Sequence, residues 1–548
     1  MKGKFFRTFM VFMTVLLLSF LAACSDGSKS SSSKQEDGEI TLKVLHNWNG
    51  SGAGAPEDPM KNPVADKIAE KTGVRFDMEY TNGSEVEKLT QVLATGDFPD
   101  VYIGPAWGKE AELLLQAANQ GMLHDLTPYI KEYPNLAEVV KKENMSISLY
   151  NDIISKQESG QFILHSMYPA TEADIEDWLY GLYVNKDIAD ELGVDPNSVQ
   201  TPEDLYNFLK EIKEGKFEAN GNSVFPLGTY DNGWPLDITS EMFVPVAGAG
   251  SWFIDDKGNA RYNFMTEEYE EWILFMRKLM SEGLLDPEAF SHTGTIAREK
   301  IAQGRYAVIP GQFEGVWNDA KKGGNQKKYV PLGPLEDFSG DRYRTEFNVQ
   351  GSQLIAVSAN LSEEKLEAFV KMFDYLSSDE GYLLTKFGVE GVHYDLEDGE
   401  VVAKEEMVQK IKDDTFKNEG VGHYLAFSGL DREDSLGGGP FGHQYDEKSE
   451  VKKEVTEIRR KDGIKPTTGI DPYSVLKNHP KFDQIEPITI VMGDAVQQAI
   501  HAGTEEEALG IMNKTRDALK KAGIEEVAAE ITKQAQDGTE FMRYRTSN

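Results

Sequence analysis

Two tryptophan residues follow predicted strands in this 548-residue chain, and both are predicted to serve as flat binding platforms. Trp107 comes after the apolar run 101–103, which a Gly-Pro pair ends, and Trp317 comes after a similar turn and apolar run at 304–309. In an open α/β sheet, ligands bind beyond the carboxyl ends of the strands, where an aromatic ring offers a broad apolar surface. The alternative is that either ring belongs to the hydrophobic core, because tryptophan is usually well buried.

Further aromatic and polar side chains lie in loops and are predicted to contact the same ligand. Trp48 follows the first predicted strand, and Trp234 lies in a polar turn that contains glycine. Amide, carboxylate and imidazole groups can pair with ligand hydroxyls, so we predict hydrogen-bonding roles for three loop residues. These residues are Asn47, Glu314 and His393, and the alternative for the two ionisable ones is a solvated surface position.

The sequence carries no recognisable catalytic or zinc-binding motif. The nine histidines are not paired at helical spacing, the one cysteine lies near the amino terminus, and no Gly-x-Ser-x-Gly sequence occurs. A pair of carboxylates in a cleft could still hydrolyse a glycosidic bond, and the sequence leaves that alternative open. Residues 218–223 alternate oxygen-bearing side chains but lack the aspartate series and closing glutamate of a calcium loop. We therefore expect a plain turn there and no cofactor.

Strands and helices must alternate near the start of the chain to position these residues. Residues 40–44 and 74–80 alternate apolar and polar side chains as strands do, and 101–103 is a short apolar run. Residues 64–71 and 84–94 have the apolar spacing of helices. The order strand, helix, strand, helix, strand predicts an α/β fold with a parallel sheet covered by helices.

The amino terminus has the features of an exported protein. Basic residues within 1–7 precede an apolar run at 8–20, which is too short to cross a bilayer and is typical of a signal peptide. The following Leu-Ala-Ala-Cys resembles a bacterial lipobox, so residues 1–23 are predicted to be removed and Cys24 to be lipidated. Residues 24–39 are rich in Ser, Gly, Lys and Asp and are predicted to form a flexible tether.

The charge of the chain argues against nucleic acid as a partner. Residues 1–23 carry three basic and no acidic residues, so their removal leaves 54 Lys and Arg against 92 Asp and Glu, a formal charge of −38. Binding to phosphate backbones depends on clustered Lys and Arg. One or two arginines in a cleft would still suffice for an anionic ligand, and Arg342 or Arg344 could serve such a ligand.

Four segments together resemble one known family. They are the lipobox ending at Cys24, Ala-Thr-Gly-Asp-Phe-Pro-Asp-Val at 94–101, Tyr-Val-Asn-Lys-Asp at 183–187, and Gly-Arg-Tyr-Ala-Val at 304–308 followed by Gly-Val-Trp at 315–317. In this order they are similar to family 1 extracellular solute-binding lipoproteins, the capture components of ABC-type carbohydrate importers in Gram-positive bacteria. The length of the chain and its loop at 388–394 are similar to the larger, oligosaccharide-binding branch.

The resemblance implies a two-lobe, periplasmic-binding-protein-like α/β fold, with discontinuous lobes that close over a ligand in the cleft between them. The N-terminal lobe is then expected to comprise residues 40–160 and 300–355. The C-terminal lobe is expected to comprise residues 161–299 and 356–548. Hinge crossovers are expected near residues 160, 300 and 355.

The resemblance also implies a function, that of a monomeric binding protein and not an enzyme. The chain would be held on the outer face of the cell membrane by the lipid on Cys24, and would deliver a carbohydrate to the permease subunits of an ABC transporter. A sugar has an apolar C–H face that suits a tryptophan ring and a rim of hydroxyls that suits polar side chains. Two alternatives stay open, namely a surface glycosidase and a peptide-binding or adhesion lipoprotein.

Overall fold

The computed structural model describes most of the chain between residues 38 and 543. The described residues are 38–47, 55–81, 85–105, 108–141, 157, 160–166, 168–169, 180–333, 343–344, 353–413, 415–431, 451, 465–466, 469–539 and 541–543. Within these ranges, no helix combines the length and the apolar character needed to cross a bilayer. The predicted signal peptide, Cys24 and the tether up to residue 37 lie outside the described residues.

A five-stranded mixed sheet, called the first sheet below, is built mainly from the amino-terminal part of the chain. Four of its strands run parallel to one another, and the strand Gln353–Val357 runs antiparallel to both of its neighbours. The strands in pairing order are Val74–Tyr80, Ile40–His46, Val101–Pro105, Gln353–Val357 and Ile163–Ser166. The predicted strand-helix alternation at the start of the chain is therefore confirmed.

Helices cover both faces of the first sheet. Alternate residues of each strand join one of two separate core clusters, so that Val44 and Ile103 pack on one face and Leu45 and Tyr102 on the other. The helices grouped with this sheet are Pro63–Thr72, Glu85–Thr95, Gly108–Asn119, Thr127–Ile130, Pro134–Val139, Glu363–Leu376, Asp379–Phe387 and Glu405–Lys412.

A second sheet of four strands lies later in the chain. Its strands in pairing order are Tyr329–Leu332, Tyr180–Asn185, Tyr306–Gln312 and Phe225–Leu227. A large core cluster packs on one face, and a cluster rich in tyrosine packs on the other. The helices grouped with this sheet are Lys186–Leu192, Pro202–Gly215, Glu267–Ser281, Gly294–Ala302, Phe313–Lys321, Tyr473–Asn478, Phe482–Ile490, Met492–Ile500, Glu505–Ala522 and Ile524–Gln536.

Local sequence signals fix the ends of several helices. The Asn62 side chain accepts a hydrogen bond from the backbone N–H of Ala65, and Gly73 ends the same helix with a left-handed φ of 73°. Thr201 and Asp204 form a reciprocal capping box at the start of another helix. These helix ends are therefore set by residues close to them in the chain.

The strand pairing corrects the predicted assignment of residues 300–355 to the N-terminal lobe. The strand Tyr306–Gln312 hydrogen-bonds with Tyr180–Asn185 and with Phe225–Leu227. Residues 306–332 therefore belong with the second sheet. The prediction was wrong because the turn, strand and tryptophan at 304–317 look like those at 94–107, although backbone pairing places the two strands in different sheets.

A second correction concerns residues 356–548, which are divided between the two sheets. The helix Glu363–Leu376 packs into the core of the first sheet, whereas residues 469–543 contribute to the large core cluster of the second sheet. The chain therefore passes between the sheets between residues 166 and 180, between 332 and 353, and between 431 and 469. The first two passages lie near the predicted crossovers at 160 and 355, and none lies near 300.

Candidate functional site

One edge of each sheet adjoins the passages between the sheets. In the first sheet the chain departs after Ser166 and returns at Gln353, at the edge where the strand Ile40–His46 also ends. In the second sheet the chain arrives at Tyr180, which pairs with Gln312. Ligands of α/β folds bind at such strand ends, so these two edges are where a binding site is expected.

Asn47 lies directly beyond the first strand and is fully buried. Its Nδ2 atom donates a hydrogen bond to the Tyr102 hydroxyl at 2.9 Å, and its Oδ1 atom accepts one from the Thr81 hydroxyl at 2.9 Å. Its backbone N–H also donates to the carbonyl oxygen of Ile103. Asn47 therefore ties three strand ends together, and its contact with a ligand stays a prediction.

Three other polar side chains form a row across the same edge, and we call them the polar row. They are His46, Gln353 and Ser166, and all three are buried. Strand alternation places them on the face that also carries Val44 and Ile355. Both ring nitrogens of His46, both amide atoms of Gln353 and the Ser166 hydroxyl have no hydrogen-bond partner among the described residues.

The polar row is uncharged. Burial lowers the pKa of His46 to about 4, and the nearby Gln353 amide opposes part of that lowering without reaching hydrogen-bond geometry. A neutral imidazole, an amide and a hydroxyl offer both donors and acceptors, which is the set that suits hydroxyl groups. An unsatisfied buried polar group costs about 1 to 3 kcal/mol. A ligand that forms hydrogen bonds with the polar row at the expected binding edge would therefore recover part of that cost.

Trp234 lies in the loop that follows the strand Phe225–Leu227 at the crossover edge of the second sheet. Its side chain is 52% exposed, although it packs edge-on against Tyr230 with ring centroids 6.0 Å apart. The Tyr230 N–H and the Thr229 hydroxyl both donate to the Trp234 carbonyl oxygen at 2.9 Å. The loop thus presents a large aromatic ring to solvent from a hydrogen-bonded turn, as a stacking platform requires.

Trp317 has a different position from the one predicted. It lies on the helix Phe313–Lys321, is only 4% exposed, and packs against Phe313 in the tyrosine-rich cluster of the second sheet. The structure therefore places Trp317 in the core, which was the alternative reading of the sequence. Glu314 is the second residue of the same helix, and its side chain lies outside the described part of the chain.

His393 is also an internal residue. Its Nδ1 atom accepts a hydrogen bond from the Val389 N–H at 2.8 Å, and its Nε2 atom lies 3.5 Å from Glu419. Burial lowers its pKa, and Glu419 partly opposes the change. His393 therefore closes the loop that follows the helix Asp379–Phe387, and its contact with a ligand stays a prediction.

Several predicted site residues fall outside the described residues. Trp48 and Trp107 are among them, as is Arg342, and the short strand Tyr343–Arg344 is described without its side chains. Trp48 follows His46 and Asn47 directly, and Trp107 follows the strand Val101–Pro105. Their role as platforms therefore stays a prediction from the sequence.

Residues 218–223 form a hairpin of two short strands, Glu218–Ala219 and Asn222–Ser223. Asn220 and Gly221 at its tip have left-handed φ angles of 52° and 74°. This is the geometry of a tight two-residue turn. Within the described ranges, no group of three or more His, Cys, Asp or Glu side chains is arranged to hold a metal ion.

The sequence did not single out His46, Gln353, Ser166 or Tyr230. A signal for the first three was present, since each is a polar residue at the end of an apolar run that forms a buried strand. Burying such a residue without a partner is costly. A polar residue at the crossover end of a buried strand is therefore a useful marker for a binding edge.

The family model described as bacterial extracellular solute-binding protein matches residues 53–382, which is more than half of the chain. The chain is 24% identical over 398 residues to lipoprotein LipO of Bacillus subtilis, with 70% of this chain and 73% of LipO covered. It is 22% identical over 415 residues to the polygalacturonan/rhamnogalacturonan-binding protein YtcQ of Bacillus subtilis, with 74% and 78% covered. It is 24% identical over 397 residues to the fructooligosaccharide ABC transporter substrate-binding protein FusA of Streptococcus pneumoniae, with 68% and 69% covered.

Solved structures share the fold. The alginate-binding protein AlgQ2, solved without calcium ion, superposes with a TM-score of 0.62 at 17% identity, covering 91% of this chain and 99% of AlgQ2. FusA of S. pneumoniae in complex with kestose superposes with a TM-score of 0.60 at 18% identity, with 91% and 99% covered. This likeness confirms the two-lobe, periplasmic-binding-protein-like fold class expected from the sequence. Together with the family model that spans residues 53–382, it shows that the chain belongs to the bacterial extracellular solute-binding proteins.

Proposed function

We propose that this protein captures an oligosaccharide between two lobes built on the two sheets and delivers it to the permease of an ABC transporter. The observation that carries the proposal is Trp234, a half-exposed aromatic ring held in a hydrogen-bonded loop at the crossover edge of the second sheet. The names of YtcQ and FusA add support, because both refer to the binding of carbohydrate polymers or oligomers.

The lobes follow the sheets. We propose that the first lobe comprises residues 38–166 and 353–431, and that the second lobe comprises residues 180–333 and 469–543. Each passage between the sheets then acts as a hinge segment, and closure brings Trp234 towards the polar row.

The crossover edges of the two sheets contact different parts of the sugar. Trp234 stacks against the apolar face of a sugar ring, and the polar row pairs with hydroxyl groups from the opposite lobe. Trp48 and Trp107 are kept as further stacking residues on the strength of their sequence positions after predicted strands. Because the row is uncharged, neutral hydroxyls suit it better than carboxylates do, and recognition of a uronic acid would depend on Arg342 or Arg344.

The proposed location on the cell membrane rests on the amino-terminal sequence and on the similarity to LipO. We propose that Cys24 carries the lipid anchor, that residues 24–39 hold the monomeric folded body off the outer face of the membrane, and that the protein is not an enzyme. LipO is itself named a lipoprotein, which supports the anchor. An acidic body on a tether of this kind can move freely between ligand in solution and the permease.

A ligand panel tests the proposal on the processed chain, residues 24–548. Thermal unfolding is measured with fructooligosaccharides, oligogalacturonides, alginate oligomers, their monosaccharides and a mixture of peptides, and each hit is followed by calorimetric titration. We expect one class of oligosaccharide to raise the melting temperature, because a ligand that binds only the folded state stabilises it. Stabilisation by peptides alone would contradict the proposal, and shortened sugars after incubation would instead favour the glycosidase alternative.

A further inference from the structure

The loop that carries Trp234 is closed by its own hydrogen bonds but depends on a neighbouring segment for its position. Asn232 and Gly233 at its tip both have left-handed φ angles, of 49° and 86°. A side chain at Gly233 would lie 2.4 Å from the ring of Phe290, so glycine is required for this close approach. The loop therefore rests directly on the segment around residues 286–293.

His292 of that segment contacts the loop through both its side chain and its backbone. Its Nε2 atom lies 2.9 Å from the carbonyl oxygen of Tyr230, and its own carbonyl oxygen accepts the Asn232 N–H at 3.3 Å. A carbonyl oxygen can only accept a hydrogen bond, so Nε2 of His292 carries the proton. Tyr230 in turn donates its N–H to the carbonyl oxygen of Trp234. Tyr230 therefore links the imidazole to the residue that carries the exposed ring.

A buried ionic cluster lies beside the imidazole. Asp286 is fully buried, and its Oδ2 atom accepts hydrogen bonds from Lys300 at 2.6 Å and from the Tyr306 hydroxyl at 2.7 Å. The same oxygen lies 3.9 Å from Nδ1 of His292. The Asp286 N–H donates to the carbonyl oxygen of Leu227, the last residue of the strand that leads into the loop. The cluster therefore ties the segment that carries His292 to that strand.

We propose that His292 is a positioning residue for saccharide binding, which holds the loop at 229–235 so that the Trp234 ring is already oriented before the ligand arrives. This inference rests on the proposed function and concerns the conformational entropy that the Trp234 loop loses when the saccharide binds. A platform that is fixed in advance loses less conformational entropy on binding than a mobile one, so its stacking contact yields more net affinity. Removing the imidazole leaves Trp234 present but takes away one of the contacts that position its loop.

The experiment is a double-mutant cycle between His292→Ala and Trp234→Ala, read by calorimetric titration with the best saccharide of the panel. We expect each single variant to weaken binding by about fivefold or more. We expect His292→Ala to add less than about a twofold further loss once Trp234 is already removed. His292→Gln should recover much of the affinity, because its amide N–H can donate to the Tyr230 carbonyl.

A matched control uses His124→Ala. His124 also places its Nε2 atom near a backbone carbonyl oxygen, that of Leu361 at 3.3 Å, but it lies in the first lobe at the other end of the strand Gln353–Val357. We expect this variant to bind the saccharide as the wild type does. Independent losses from His292→Ala and Trp234→Ala, or wild-type affinity in either one, would overturn the inference.

A second readout needs no ligand and keeps the inference separate from the proposed function. Hydrogen exchange of peptides that cover residues 229–235 should accelerate in His292→Ala and return towards wild type in His292→Gln, with other peptides of the second lobe unchanged. Unchanged exchange in this loop would overturn the inference even if the saccharide binds. If no saccharide binds the wild type, the proposed function fails, and faster exchange would still show that His292 positions the loop.

Discussion

Gln353 and Ser166 lie directly opposite each other on neighbouring antiparallel strands, and neither side chain has a hydrogen-bond partner among the described residues. Both are fully buried, and His46 extends the same row on the far side of the strand Val101–Pro105. Buried polar groups in native proteins are nearly always paired. A set of unpaired groups at the edge proposed for ligand binding is therefore consistent with a site whose partners arrive with the ligand.

Replacing Gln353 by Met should stabilise the protein and weaken its binding of saccharide. The change removes two unsatisfied polar atoms at similar volume, so we expect the free energy of unfolding to rise by about 1 kcal/mol. The lost donor and acceptor should lower the affinity by about tenfold or more, since one hydrogen bond to a ligand is worth roughly this amount. Urea denaturation and calorimetric titration measure the two effects.

Gln498→Met is a control for the Gln353 prediction, because Gln498 is exposed on the helix Met492–Ile500. It should change neither quantity appreciably. A less stable Gln353→Met protein would mean that the amide is already satisfied, and unchanged affinity would remove the polar row from the proposed site.

Replacing Trp234 by Ala should weaken saccharide binding with little loss of stability. The ring is 52% exposed, so its truncation removes little buried area from the folded protein. Stacking and apolar contact with a sugar are worth about 1 to 3 kcal/mol, which corresponds to roughly a 5- to 150-fold loss of affinity. Trp234→Phe should keep part of the affinity because it retains an aromatic face. Equal affinity of wild type and Trp234→Ala would exclude the ring from the site.

Replacement of Trp317 should lower stability and replacement of Trp107 should lower affinity, although the sequence predicts the same binding role for both residues. Trp317 is buried in the tyrosine-rich cluster, so Trp317→Ala should lower the free energy of unfolding by about 3 to 5 kcal/mol and leave the affinity of the folded fraction unchanged. Trp107→Ala should lower affinity with a smaller change in stability. Denaturation and calorimetric titration of both variants check this contrast, and an affinity loss confined to Trp317→Ala would reverse the assignment.

The sequence predicts the fold class well because that inference depends on local signals. The alternation of strands and helices around residues 40–103 is a property of short segments, and the structure confirms it. The lobe boundaries depend instead on which distant strands pair. Nothing within Tyr306–Gln312 indicates that it pairs with Tyr180–Asn185 and not with the first sheet, so the boundary near residue 300 was wrong.

The site was predictable only in part for a related reason. An exposed tryptophan in a polar loop, Trp234, and a core tryptophan on a helix, Trp317, have similar sequence surroundings, because both follow a glycine-containing turn. Burial separates them, and burial depends on tertiary packing. The proposed role of His292 could not be predicted from the sequence, because its imidazole hydrogen-bonds with a carbonyl oxygen 62 positions earlier in the chain.

Acid should destabilise the protein through two buried histidines of the first sheet, His46 and His165. Burial lowers the pKa of each to about 4, and a backbone hydrogen bond to Val139 partly opposes the change at His165. In the unfolded chain both histidines have a pKa near 6.5. Between these two values the unfolded chain takes up protons that the folded chain does not, so stability is complete above pH 6.5 and falls as the pH falls towards 4.

The size of the acid effect follows from the same shifts. At pH 5 each histidine should cost about 2 kcal/mol of unfolding free energy relative to neutral pH. Urea denaturation at pH 7.5 and pH 5 measures this, and His46→Gln and His165→Gln should each reduce the loss by about that amount, because glutamine does not titrate. Gln498→Met is the control, since Gln498 is exposed and carries no titratable group. If His46→Gln and His165→Gln kept the wild-type pH dependence, the two imidazoles would have to be charged or solvated in the folded protein.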